Sequence, residues 1–363
     1  MHERRLLVLA SKPEGISPSQ RFRLEQWAPH LAADHNIRLD FEPFESPRLT
    51  ELLYEPGHVL RKGWWTLRDF SRRAGVLKKA RDYDAVVIHR EAALIGPAIY
   101  ERLLAAEGIG IIYDFDDAIW SPAQAWGNGL FSRLHFTSKT SAICKLATAV
   151  TTGNEFLAAY ARARNGDVSI VPTSIELARY PVLPEPPSDK PFTVCWTGSK
   201  STLVHFEHAR APLEQLAQRT PLRVKVLCDR APSHPIEGAE MDFVRWSVDN
   251  EARELGDCHV GIMPLPNDEV SRGKCGLKAL QCMAVGRPVV VSPVGVNSGI
   301  VTGGENGFLA ATTDEWIDAL SKLAADESLR TRLGKNARAA VEHDYSAEIS
   351  AAKFARVIDR VTR

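Results

Sequence analysis

The sequence predicts an α/β protein made of two doubly wound domains. Short apolar runs alternate with longer helical patterns, as in a parallel sheet wrapped by helices. The alternation stops at a proline-rich stretch and then restarts. A chain of 363 residues is also long for one core and comfortable for two.

In order, "RLLVLA" reads as the first strand, with a helix near Ser19–Ala33 behind it. "AVVIHR" is followed by a helix near Ala93–Ala106, and "GIGIIYDFDD" by one near Phe131–Leu146. "AVTTGN" and "VSIVPTSI" close a first domain spanning residues 1–180. "PVLPEPPSDKP", residues 181–191, carries too many prolines for a helix or inner strand and reads as an interdomain linker. The second domain, residues 192–345, runs through "FTVCWTG", a helix near Thr202–Arg219, "LRVKVLCD", "MDFVRWS" and "CHVGIMPL". A short helix near Gly276–Val285 and "PVVVSP" follow. Residues 346–363 form a C-terminal helix expected to return to the first domain. A cleft is expected between the domains, with ligands beyond the carboxyl ends of the strands.

Lysine plus arginine balances aspartate plus glutamate at 45 each, so no global field invites nucleic acid. The N-terminal "MHERRLLVLA" lacks the apolar run of a signal peptide or membrane span. The six cysteines show no CxxC spacing and read as reduced core residues of a cytoplasmic protein.

Any basic site must therefore be local, and "RGKCGLKALQ" supplies one. On helical periodicity Lys274, Lys278 and Gln281 share one face, while Leu277, Leu280 and Ala284 share the other. Arg272 lies just before, and Gly273 and Gly276 let a ligand approach the backbone around Cys275 and Leu277. Unsatisfied first-turn amides, the helix dipole and nearby cations make an anion site, with diphosphate the natural occupant. A solvated basic helix face is the plainer reading.

"GLKALQCMAVGRPVVVSPVGVNSGIVTGGENGFLA" resembles the nucleotide-recognition segment of family 4 glycosyltransferases, retaining enzymes of the two-domain GT-B fold. The similarity extends through "DEWIDALSKLAADESLRTRLGKNARAAVEHDYS" and to "CWTGSKSTLVHFEHARAPLEQLA". The resemblance implies a GT-B fold, two Rossmann-like domains facing a central cleft. It also implies transfer of a sugar, hexosyltransferase-like, from a nucleotide diphosphate donor to a saccharide or lipid-linked acceptor. Retention, no metal and no cofactor beyond the nucleotide sugar follow from the same comparison, as does a role in cell-surface polysaccharide or glycoconjugate synthesis. Two glutamates usual in the family fall on Gly273 and Gln281; the amide of Gln281 still suits a ribose hydroxyl. The usual arginine–lysine pair is incomplete around Gly198, Ser199 and Lys200, so Arg272, Lys274 and Lys278 are expected to take the diphosphate. Trp246 and Ser247 lie where the family's base sits, and Gly15 where its glycine loop approaches the donor or acceptor.

"IIYDFDD" ends a strand with Asp114, Asp116 and Asp117. A metal-chelating DxD motif, a phosphatase with Asp114 as nucleophile, and helix capping by Asp117 are each open readings. Family members often have a histidine after this strand, and the matching position is Asp116. A carboxylate there would take the acceptor's proton or stabilise positive charge on the sugar ring. Arg21 and Arg23 begin the preceding helix and face either a cleft or solvent.

The stretch Arg61–Arg81 holds eight basic residues and one acidic, with Trp64, Trp65 and Phe70 interleaved. It suits contact with an anionic membrane at the inner face, or else a helix that buries its tryptophans. The rival functions are a GT-B module that binds nucleotide sugars without transferring them, and a nucleotide-sugar epimerase.

Overall fold

The computed structural model describes residues 2–55, 57–122, 138–187 and 190–362. They divide into two compact units, residues 1–173 with 347–363, and residues 174–346. The division falls ahead of the proline-rich stretch. That stretch is fastened to the second unit, where the Arg287 guanidinium donates to the carbonyls of Leu183 and Pro184 and Arg330 pairs with Glu185.

The first unit is a six-stranded parallel sheet. Its strands are β1 (Arg4–Ala10), β2 (Ile37–Pro43), β3 (Ala85–His89), β4 (Ile111–Phe115), β5 (Ala149–Thr152) and β6 (Val168–Ile170), in the order β2-β1-β3-β4-β5-β6. Every residue of β3 and β4 is buried, which explains why "AVVIH" and "IIYDF" lack a polar alternation. His89 and Asp114 lie in register, and Asp114 in turn with Thr151, so three polar residues cross the sheet side by side.

Between β1 and β2 the chain turns helical at Pro18, makes one π-helical turn over Arg21–Glu25, and continues as the helix Gln26–His35. The expected helix over Ser19–Ala33 is thus present but wound wider at its start. The expected helix near Phe131–Leu146 is described only from Ser138, and residues 131–137 lie outside the described ones. The last helix, Ala347–Val361, belongs to this unit, burying Phe354 and Ile358 in a core with Trp27, Leu31 and Val87.

The second unit repeats the design with β7 (Phe192–Thr197), β8 (Leu222–Cys228), β9 (Glu240–Arg245), β10 (Val260–Met263), β11 (Val289–Val291) and β12 (Gly307–Leu309). The order β12-β11-β10-β7-β8-β9 reverses direction at β7 and β10. That reversal is the switch point where open α/β sheets bind ligands. The helix Leu277–Ala284 packs on β10 so closely that a Cβ on Gly261 would lie 2.4 Å from Cys282 Sγ.

Phe354 is fully buried and its ring centroid lies 5.4 Å from that of Trp27. Phe354→Ala should lower the unfolding free energy by about 3–5 kcal/mol, the cost of an unfilled aromatic cavity, read by urea denaturation.

Candidate functional site

Each unit presents a polar cluster at the carboxyl ends of its strands. In the first unit the cluster is built on a carboxylate inside the sheet. Asp114 has no exposure, and four donors surround it. Arg23 donates from Nη2 to Oδ1 at 2.5 Å and from Nε to Oδ2 at 2.9 Å. Thr151 Oγ1 donates to Oδ1 at 2.6 Å, and His89 Nδ1 stands 2.8 Å from Oδ2. Burial alone would raise this carboxyl's pKa, but the Arg23 charge and the donors overcome it and hold it well below the usual carboxylate range.

Asp116 lies two residues on, its side chain 11% exposed. Its Oδ1 accepts Ser19 Oγ at 2.5 Å and the Arg90 guanidinium at 2.8 and 3.1 Å. Burial opposes ionisation here too, yet Arg90, His89 and Arg23 bring the pKa down to about 2. Arg90 itself adopts a left-handed backbone, φ 63°, uncommon for a residue with a side chain and a marker of an over-determined site. Asp117 Oδ1 accepts the amide of Ala118 at 3.0 Å, and its Oδ2 lies 3.9 Å from Arg90.

These contacts bear on the open readings of "IIYDFDD". Asp114 is an ion-pair partner with both oxygens occupied by cationic and hydroxyl donors, which suits neither a nucleophile nor a metal ligand. Among the described residues no group of three histidine, cysteine, aspartate or glutamate side chains is arranged to hold a metal ion. Arg21 and Arg23 do not face solvent, being 5% and 0% exposed. Gly15 adopts φ 80° and its amide donates to Glu25, so it shapes the loop after β1.

In the second unit, the loop after β7 and the segment after β10 meet the switch point. Gly198 has no room for a Cβ, which would lie 2.3 Å from the Trp196 ring. Ser199 and Thr202 form a capping box, and the Lys200 amide donates to Asp229 at 2.6 Å. After β10 a four-residue helix, Glu269–Arg272, ends at Gly273, and the next helix starts only at Leu277. Lys274 therefore precedes the helix and does not share a helical face with Lys278. Gly276 breaks the chain between them with φ 73°. Lys278 Nζ sits 5.6 Å from the centroid of the buried Trp196 ring, and Arg272 Nε donates to Asn267 at 2.8 Å. Cys275 is buried, its thiol against the Gly273 carbonyl at 3.7 Å.

His205 was not legible as a site residue. It is buried, its Nδ1 has no hydrogen-bond partner, and its pKa is pushed down to about 4 by burial, then by Lys278 and Lys274. Both lysines thus project their fields onto one buried imidazole.

Gln281 departs from the lysine face on which helical periodicity put it. It is 3% exposed, and its amide donates to the Tyr180 hydroxyl at 3.1 Å. Tyr180 donates in turn to Glu251, whose other oxygen accepts Trp246 Nε1 at 2.6 Å. Gln281 and Trp246 are two ends of one internal chain of hydrogen bonds. Ser247 closes the turn before it by exchanging bonds with Asn250.

Residues 213–326 match the family described as Glycosyl transferases group 1. Among solved structures, sucrose-phosphate synthase from Thermosynechococcus elongatus superposes with a TM-score of 0.68 at 15% identity, covering 98% of each chain. A glycosyltransferase from Rickettsia africae ESF-5 gives 0.68 at 12% identity, over 100% of this chain and 99% of that one. Anabaena HepE in complex with UDP and glucose gives 0.64 at 14%, over 99% and 100%. The fold is GT-B. A 64-residue stretch is 42% identical to D-inositol 3-phosphate glycosyltransferase of Corynebacterium jeikeium (strain K411), covering 17% of this GT-B chain and 15% of that protein.

Asp114→Asn should destabilise the protein by about 3–5 kcal/mol in urea unfolding, because it leaves the fully buried Arg23 guanidinium without its counter-charge. For Asp116 the sign follows from a folded pKa of about 2 against an ordinary value near 3.9. Its stabilisation is present in full above about pH 4 and is lost as pH falls toward 2. The stability gap between parent and Asp116→Asn should therefore shrink over that window.

Proposed function

We propose that this GT-B chain is a glycosyltransferase that moves a sugar from a nucleoside diphosphate donor to a saccharide or lipid-linked acceptor. The observation that carries the reading is the switch point of the group 1 unit. There Lys274, Lys278 and the helix opened by Gly276 lie together, and His205 beside them is pushed down to about 4, by burial first and then by the two lysines. A leaving diphosphate gains negative charge as the anomeric bond breaks, and preorganised cations and amides stabilise that change. Anabaena HepE, of the same fold, binds UDP-glucose.

In the proposed reaction the bond from the anomeric carbon to the diphosphate oxygen breaks, and the acceptor oxygen bonds to that carbon from the same face. The acceptor's proton passes to the departing diphosphate oxygen, and anomeric configuration is retained. Asp116 would serve this step as a fixed anion facing the positive sugar ring. Its pKa of about 2 makes it a poor base at neutral pH but keeps it charged. Lys274 and Lys278 would hold the diphosphate without a metal, aided by Lys200 and Arg272 and the backbone of Gly198, Ser199, Gly273, Cys275, Gly276 and Leu277.

The helix Val59–Leu77 supports peripheral membrane contact. Val59, Leu60, Trp64 and Leu67 are 63%, 90%, 60% and 69% exposed, beside the exposed cations Arg61 and Arg68. Trp64 is thus not buried in the core. Two of the eight cations hold the fold instead: Arg72 donates to the Pro43 and Phe44 carbonyls, and Arg73 is buried against the Ala10 carbonyl. Among the described residues no helix is long and apolar enough to cross a membrane. The reading places the protein on the inner membrane face, in synthesis of a surface polysaccharide or glycoconjugate. A binding module without transfer activity is favoured by one observation, the glycine at 273 where the family carries a carboxylate.

Lys274→Ala and Lys278→Ala should each weaken UDP- or GDP-type nucleoside diphosphates by about one to two decades in calorimetry, and leave the bare nucleoside unaffected. A charge-assisted bond is worth roughly 1.5–3 kcal/mol. Normal diphosphate binding by both variants would refute the site, and binding without turnover across donors and acceptors would favour the binding module. Added EDTA should leave turnover unchanged. Replacing Trp64 and Leu67 by serine and Arg61 and Arg68 by glutamine should abolish sedimentation with anionic vesicles while turnover of a soluble acceptor survives.

A further inference from the structure

Hydrogen-bond counting around Asp116 leaves one proton unassigned. Asp114 is acceptor-only, ionised by Arg23, so His89 Nδ1 must carry a proton and donate to it. On the other side of the ring, His89 Nε2 lies 2.8 Å from Ser19 Oγ, and Ser19 Oγ lies 2.5 Å from Asp116 Oδ1. Two short contacts flank the serine oxygen, yet its hydroxyl supplies a single hydrogen. A second proton must sit either on His89 Nε2 or on Asp116.

Asp116 is the poorer host, since the same oxygen already accepts two Arg90 N–H groups.

We infer that His89 is held as an imidazolium and that Ser19, accepting from it and donating to Asp116, couples its charge to that carboxylate. Ser19 and His89 are then positioning residues for the proposed transfer. Ser19, His89 and Asp114 also have the spacing of a serine-nucleophile triad, but a charged His89 cannot accept the serine proton, and Ser19 is 8% exposed. This inference rests on the proposed role of Asp116 for its meaning in catalysis, and on the hydrogen-bond geometry alone for the protonation state.

The test separates the two. In the full chain labelled with ¹⁵N-histidine, and assigned through backbone experiments without any variant, both His89 ring nitrogens should be protonated at pH 7. A single proton on Nδ1 would overturn the inference, whatever the enzyme transfers. Asp116→Asn should shift the Nε2 resonance in the parent and leave it unmoved in the Ser19→Ala background. An equal shift in both would remove Ser19 as the coupling group. Where sugar transfer is measurable, Ser19→Ala should lower kcat by about 10–100-fold at unchanged KM for the donor, as expected for a lost donor to a charge-stabilising group. A change confined to KM would assign Ser19 to binding. Complete absence of transfer by the folded parent would refute the proposed activity while leaving the ring protonation to stand or fall by the spectrum.

Discussion

A carboxylate inside a parallel sheet must be neutralised by protein groups, because water cannot reach it. Asp114 occupies such a place, and Arg23 meets it with both sides of the guanidinium fork. Much of the first unit's functional edge follows from that pair. Arg23 reaches the sheet from a helix start wound into a π turn, a local widening that recurs at functional sites. The helical turn just ahead of it, Pro18–Gln20, brings Ser19 to His89 and Asp116. His89 sits beside Asp114 because β3 and β4 pair in that register. The pair thus orients the first turn after β1, the end of β3 and the end of β4 together.

The second unit solves the opposite problem. His205 stays neutral there, its pKa pushed down by burial first and then by Lys278 and Lys274. Cations beside a helix start at the switch point of a Rossmann-like sheet suit the anion proposed for it.

Much of the architecture was readable from the chain. Continuous apolar runs announced the buried parallel strands, and the restart after the proline-rich stretch announced a second sheet. "RGKCGLKALQ" was readable as basic and glycine-hinged. Periodicity put Lys274 on a helix that starts only at Leu277, and it put Gln281 on the lysine face, whereas its amide reaches into the interior toward Tyr180. Tyr180 lies 101 positions away, and no local pattern records such a partner.

The sequence by itself determined the strand–helix alternation, the two-sheet plan and the local supply of cations, because these rest on short-range periodicity and on residue type. The tertiary structure decided which charges pair. Three aspartates in four positions are equivalent on paper. Their environments differ only because β3, β5 and the turn after β1 deliver Arg23, His89, Thr151, Ser19 and Arg90 to different oxygens. Those deliveries span tens of residues of chain, and electrostatic energy depends on distance in space rather than in sequence. Asp114 became the buried anchor, Asp116 the anion at the edge, and Asp117 a local turn acceptor for that reason.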